Sequence, residues 1–266
     1  NAIKDKDFIQ FTKNVPLNKY LLDPWIVQKY EEFFPAWFQK CPRYKFKGID
    51  GFKHTTFAQG SQETFINFYL QHRTRRFRVL KGEYFWHMEC WKQQGLNWAY
   101  IGEDDIRPND VVILSFPFPT LGDKHPQHEE IIEQCDKLGV PVILDFIYLP
   151  NITLDKVEID LTSSCIESIS FSFSKTFPIA NARGALRMSR QKISDPLQIA
   201  NDENVSNRLA AGIGLEVMQN FDVDYMVQKY KDEQQHWCKI LGLSPMNVVH
   251  FAGDTHMGRS NMKKFF

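Results

Sequence analysis

The sequence predicts an α/β protein: a three-layer sandwich around a mostly parallel sheet, followed by a small C-terminal α+β domain. Three observations carry this. Runs such as "DVVILSFPFPT" (110–120) and "VPVILDFIYLP" (140–150) are apolar at successive positions, so both strand faces are buried, as in parallel sheets. Segments with helical apolar spacing separate these runs and supply the crossovers that parallel strands require. From about Asp195 the alternation gives way to a long helical stretch and one last short strand. The expected division is an N-terminal segment (1–50), a large domain (51–195), and a linker helix with a partial small domain (196–266).

The elements follow in order. "PWIVQKYEEFFPAWFQK" (24–40) reads as a helix bounded by Pro24 and interrupted at Pro35. "KHTTFAQGSQETFINFYLQH" (53–72) reads as strand, glycine turn and helix, with Gly60 in the turn, Ser61 as N-cap, and Phe65, Phe68 and Tyr69 as the apolar stripe. "RFRVLKG" (76–82) is a strand, "EYFWHMECWKQQG" (83–95) a helix stopped by Gly95, and "NWAYI" (97–101) a strand. The 110–120 run halts at two prolines, and "KHPQHEEIIEQCDKLG" (124–139) is a helix ended by Gly139. Strands follow at 140–150, at "CIESISFSFSK" (165–175) and at "GALRMS" (184–189). Residues 205–243 are helical, and "NVVHFAG" (247–253) is a strand of the small domain.

Composition bounds the function. Of 266 residues 43% are hydrophobic and 14% aromatic, enough for a substantial core. Lys+Arg and Asp+Glu both number 32, and this neutrality argues against a nucleic-acid or membrane-surface role. The basic run "HRTRRFR" (72–78) reads as a solvated helix end and loop. Five scattered cysteines without metal-ligand spacing read as free thiols, which places the chain in the cytoplasm and predicts no metal site. No apolar run approaches the ~18 residues of a membrane span.

The chemistry concentrates at strand ends, where open α/β sheets bind ligands. Ser172, Ser174, Lys175 and Arg183 gather hydrogen-bond donors suited to a phosphate. Gly60 and Ser61 open a helix, whose N-terminal N–H groups attract anions. Asp145 ends a buried apolar strand, a costly place for a carboxylate unless it meets a cation or strong donors. A helix cap or a structural ion pair is the lesser reading of Asp145, and a lone lysine at a strand end would mark only its solvated end. The combination is what stands out.

These residues resemble the fold type I pyridoxal-phosphate enzymes, most closely the class I/II aminotransferases. "DFIY" (145–148) is similar to the family's Asp-x-x-Tyr, "SFSKTFPIANAR" (172–183) to its Ser-x-Ser-Lys with an arginine eight residues on, and "QGSQE" (59–63) to its Gly-Ser turn. The resemblance spans roughly residues 50–190. It implies that Lys175 holds pyridoxal 5'-phosphate as a Schiff base. Arg183, Ser172 and backbone N–H groups near Gly60, Ser61 and Gln62 would hold the phosphate, with Ser174 beside them. Asp145 would keep the ring nitrogen protonated, Tyr148 would bond the ring 3-oxygen, and Phe85, or Tyr84 as second choice, would cover the ring. It also implies a homodimer acting on a small-molecule amino acid and a 2-oxo acid.

Two departures stand out. In "SFPFPTLG" (115–122), Phe118 occupies the place of an asparagine that also bonds the 3-oxygen in the family. After Leu243 the only arginine is Arg259, in a context unlike the family's substrate-carboxylate arginine. Either that arginine lies beyond Phe266 or the substrate site differs. The functional expectation is an aminotransferase. The alternatives are another reaction of the same fold, a lyase or decarboxylase, or a cofactor-binding remnant without catalysis.

Overall fold

The computed structural model describes residues 2–254, 258–262 and 265–266. Three helices open the chain: α1 (Lys6–Thr12), α2 (Leu17–Leu22) and α3 (Ile26–Gln39). The alternating region contains β1 (Tyr44–Lys47), β2 (His54–Ala58), α4 (Ser61–Gln71), β3 (Arg76–Val79), α5 (Trp86–Gln94), β4 (Trp98–Tyr100) and β5 (Asp110–Ser115). It continues through α6 (His128–Leu138), β6 (Val142–Asp145), β7 (Val157–Asp160), β8 (Ile166–Ser172) and β9 (Ala185–Ser189). The remainder is α7 (Pro196–Asp202), α8 (Arg208–Asn220), α9 (Tyr225–Leu241), β10 (Ser244–Pro245), β11 (Phe251–Asp254) and β12 (Gly258–Asn261).

Seven strands form the central sheet in the order β2-β9-β8-β6-β5-β3-β4. Only β9 is antiparallel to its neighbours, so the other six strands run in one direction. Period-two side-chain alternation sorts the buried strands onto two cores. Val111, Ile113 and Ile143 pack with Phe65, Phe68 and Tyr69 of α4 and Trp91 of α5. Val112, Leu114, Val142 and Leu144 pack on the other face with α3, α6 and α8 residues such as Phe34, Ile131 and Val217. These are the three layers that the sequence predicts.

Local differences from expectation have local causes. Helix α3 continues through Pro35. Proline removes the bond to the Glu31 carbonyl, and the Thr55 hydroxyl donates to that oxygen instead at 3.4 Å. Gly60, not Ser61, is the N-cap of α4; its φ of 97° is a conformation that glycine adopts freely. The helical stretch 205–243 breaks into α8 and α9 around Phe221–Asp224, where the Phe221 carbonyl accepts from Trp37 and Asp224 pairs with Arg43 at 2.7 Å. The basic run is not a solvated end. Arg76 and Arg78 lie on β3, and fully buried Arg78 meets Asp104 and Asp110 at 2.9 and 2.7 Å. A buried guanidinium needs such partners, and these two also receive Arg76.

Strands β1 and β7 form a separate parallel pair in which Lys45–Glu158 and Lys47–Asp160 face each other at 2.9 Å. Near the C-terminus β10, β11 and β12 make an antiparallel sheet. Gln234 of α9 ties that region down by donating to the carbonyls of Met246, Val248 and Phe251. The strand expected at 247–253 begins later, at Phe251, because the Phe251 N–H turns back to the Val248 carbonyl. Among the described residues no helix is long and apolar enough to cross a membrane, and no group of acidic, histidine or cysteine side chains could hold a metal.

Candidate active site

The six co-directional strands place their carboxyl ends on one edge of the sheet, and the chain entering β9 reaches the same edge. A cleft of about 550 Å³ opens there. The end of β6 contributes Asp145, the turn after it Ile147 and Tyr148, and the turn after β8 Ser174 and Lys175. Ser61 and Gln62 come from the start of α4, Gly82 to Phe85 from the turn after β3, Pro119 and Thr120 from the turn after β5, and Arg183 from the approach to β9. A larger cleft of about 840 Å³ lies between α6 and the β7 side of the molecule and reaches Phe116, Leu144 and Phe146 beside the ends of β5 and β6. Its carboxylate-rich rim includes none of the strand-end donors, so the smaller cleft is the chemically equipped one.

Asp145 is the last residue of β6 and is 2% exposed. Its Oδ1 accepts from the Ile147 N–H at 3.1 Å. Burial, and after it the nearby Glu83 carboxylate, push Asp145 up to about 8, against the pull of the Ile147 N–H and Lys175. Lys175 Nζ stands 5.9 Å from the centre of the Tyr148 ring, which packs on Phe251 and His250 from the C-terminal region.

The anion side of the cleft is built on α4. Gly60 caps the helix without a side chain, and Ser61, the first helical residue, is buried. The Gln59 N–H donates to Glu63. Arg183 lies across this turn: its Nη2 donates to Gln62 Oε1 at 2.6 Å and its Nε to the Gln59 carbonyl at 3.5 Å. A β-carbon at Gly60 would stand 2.8 Å from Arg183 Nη2. Arg183 itself has φ 56°, an uncommon left-handed conformation for a residue with a side chain.

The structure brings Ser61, Gln62, Phe85, Asp145, Tyr148, Ser174, Lys175 and Arg183 to the cleft wall, with Gly60 directly beneath Arg183. Ser172 sits one layer back. It is fully buried, shares a hydrogen bond of 2.7 Å with Ser174 Oγ, and lies 3.4 Å from the Gly184 carbonyl. Ser172 therefore positions Ser174, while Ser174 reaches the cleft. Phe85 is 66% exposed at the cleft mouth, and Tyr84 beside it is less exposed, with ring centres 5.5 Å apart. Phe118 does not line the cleft. It is buried against His125, ring centres 4.7 Å apart, and Thr120 presents the side chain of that turn to the cleft.

Sequence reasoning missed Glu83, and although the 117–122 turn is among the polar strand ends, Thr120 within it is not singled out. Glu83 is 5% exposed and follows Gly82 in the turn after β3. Its signal was a carboxylate just past the end of a buried strand, close in kind to the strand-end carboxylate that singles out Asp145. Arg259 belongs to β12, and its side chain lies outside the described residues.

Comparison with known proteins bears on the fold. No family model and no curated protein sequence matches the chain. Solved structures do. A C-S lyase from Staphylococcus hominis, solved with bound pyridoxal phosphate, is 16% identical with a TM-score of 0.66, over 85% of this chain and 64% of its own. An aminotransferase from Staphylococcus aureus is 9% identical with a TM-score of 0.69, over 95% and 76%. An aromatic aminotransferase from Pyrococcus horikoshii is 13% identical with a TM-score of 0.67, over 95% and 76%. The chain thus spans a little under two thirds of the lyase and about three quarters of the two aminotransferases. It has the fold of these enzymes, the mostly parallel sheet of fold type I.

Proposed function

We propose that this cleft binds pyridoxal 5'-phosphate and that the protein is an aminotransferase working on a small-molecule amino acid and a 2-oxo acid. One observation carries the reading: Lys175, Asp145, Tyr148 and Arg183, drawn from separate elements, line one cleft beyond the strand ends. The residues fit the group chemically. The helix start at Gly60 and Ser61, covered by Arg183 and neighboured by Ser174, suits a phosphate. The cradle has no room for a β-carbon at Gly60 without displacing Arg183. Buried Asp145 suits a protonated ring nitrogen, and the Tyr148 hydroxyl suits the ring 3-oxygen.

When bound, the cofactor supplies an electron sink that acidifies hydrogens on the substrate's α-carbon. The chain's own residues do the rest. Lys175 would hold the cofactor covalently through Nζ and, once released by the incoming amine, would move the α-proton as a neutral base at that atom. Asp145 holds a proton at the ring nitrogen. Arg183 and the α4 N-terminus fix the phosphate, and Tyr84 and Phe85 limit access of water from the mouth. A homodimer and a cytoplasmic location belong to the same reading, the second supported by five free cysteines. A lyase reaction is the second reading, favoured by the C-S lyase among the structural neighbours.

The test is borohydride reduction of the cofactor-loaded protein, peptide mapping, and half-reactions with a panel of amino acids. The pyridoxyl group is expected on Lys175 and pyridoxamine phosphate in the half-reaction. Label elsewhere, or none, would remove Lys175 from its role. Release of ammonia, a thiol or carbon dioxide without pyridoxamine would transfer the assignment to a lyase or decarboxylase, and silence with bound cofactor to a non-catalytic binder.

A further inference from the structure

The floor of the cleft holds a second carboxyl group that the cofactor motifs do not include. Glu83 is buried and fully engaged. Its Oε1 accepts from the Ser115 hydroxyl at 2.6 Å and from the Tyr84 N–H at 2.9 Å, and its Oε2 accepts from the Ser115 N–H at 2.9 Å. Ser115 is the last residue of β5 and stands in register opposite Asp145, the last residue of β6. Register partners on adjacent parallel strands point to the same face. Ser115 thus anchors Glu83 beside Asp145 at one level of the sheet.

Two buried carboxyls so placed cannot both ionise cheaply. Burial raises both carboxyls; at Glu83 three hydrogen-bond donors offset that rise, whereas at Asp145 the Ile147 N–H and the charge of Lys175 oppose it and leave it high. We propose that Glu83 and Asp145 form a two-carboxyl floor in which Glu83 carries the charge and Asp145 the proton, so that a ligand ring nitrogen is captured by taking up the Asp145 proton. The step balances within the site: the Asp145 O–H bond breaks, the nitrogen lone pair forms an N–H bond, and a carboxylate faces the resulting cation. Glu83 is then a positioning residue, since its charge raises the proton affinity of the Asp145–nitrogen couple without touching the ring. The inference rests on the cofactor reading for the identity of the ring nitrogen, but not for the carboxyl pair.

Other groups share this environment. Lys175, from the turn after β8, favours ionised Asp145. Tyr69 on α4 and Tyr84 after β3 interact electrostatically with Asp145, and both phenols are held neutral by burial. Their charge does not change over the range in question, so Glu83 is the partner whose removal isolates the effect.

The experiment follows the carboxyl carbons of Asp145 and Glu83 by 13C NMR in the full chain, with and without pyridoxal phosphate, in the parent and in Glu83→Gln. It also follows the ring nitrogen of 15N-labelled cofactor. Without cofactor, Asp145 is expected to titrate about one pH unit or more lower in Glu83→Gln. In the loaded protein the ring nitrogen is expected to lose its proton at lower pH in that variant. Unchanged Asp145 titration in Glu83→Gln would overturn the proposal whatever the cofactor does. A shifted Asp145 in a chain that binds no pyridoxal phosphate would sink the cofactor reading and leave the carboxyl pair standing for another ligand nitrogen. If Glu83→Gln does not fold, Ser115→Ala keeps the carboxyl and removes one donor. The upper titration step should then be shared between the Glu83 and Asp145 carbons, and a step confined to Asp145 would refute the pairing.

Discussion

The guanidinium of Arg183 lies directly on the backbone of Gly60, with Nη2 2.8 Å from where a β-carbon would sit. The two residues are far apart in sequence, yet each is shaped by the other: Gly60 at φ 97° exposes bare backbone, and Arg183 at φ 56° turns its side chain onto it. This contact covers the N-terminus of α4 with a permanent positive charge.

Removing that charge should weaken phosphate binding. A charge-assisted contact contributes roughly 1.5–3 kcal/mol, so Arg183→Ala should lower affinity for pyridoxal phosphate about ten-fold or more. Gly60→Ala should lower it in the same direction by displacing the guanidinium, and should also cost about 1–3 kcal/mol of stability through its backbone conformation. Equilibrium binding and urea unfolding of the two variants separate these effects. Folded Arg183→Ala with the parent's affinity would assign Arg183 to the scaffold.

The pH dependence of the cofactor-free chain follows from Asp145. Its native value, about 8, lies above the unfolded value of about 4. The native state therefore retains a proton that the unfolded chain releases. The contribution of this group is fully present below about pH 4 and declines as pH rises toward 8. Asp145→Asn should lack that decline, and should exceed the parent in stability by an amount on the order of 1 kcal/mol or more near pH 8. Urea midpoints measured from pH 4 to 9 test this. Parallel profiles for the two proteins would show that Asp145 ionises normally.

Phe118 occupies the family's asparagine position in sequence but belongs to the core. A β-carbon on Gly82 would come within 3.2 Å of its ring, and the His125 ring packs against it edge-on with centres 4.7 Å apart. Phe118→Asn should destabilise the protein by about 3–5 kcal/mol through lost packing and a buried amide. It should not add a donor to the cleft. A variant of unchanged stability whose cofactor absorbance titrates at a different pH would place residue 118 in the site after all.

The strand-end motifs were readable because each is local. "DFIY", "SFSK" and "QGSQE" are set by residues within a few positions, and buried strands declare themselves through continuous apolar runs. The helix stops at Gly95 and Gly139 were equally local, and both residues adopt positive φ. Sequence thus determined the layers, the main alternating strands and helices, and most of the strand-end polar groups, while the short elements α1, α2, β1 and β7 and the carboxyl of Glu83 carried no such local signal.

Tertiary structure decided what local pattern could not encode. Pairing of β3 with β5 turned a basic run into a buried ion network by bringing Arg76 and Arg78 onto Asp110. The Thr55 hydroxyl let α3 run through Pro35. The register of Ser115 with Asp145 brought Glu83 to the floor of the cleft, although Glu83 lies in the turn after β3 and Asp145 ends β6. In each case the deciding partner lies many residues away. Its effect depends on distance and burial, and these come into being only when the strands pair and the water between them is excluded.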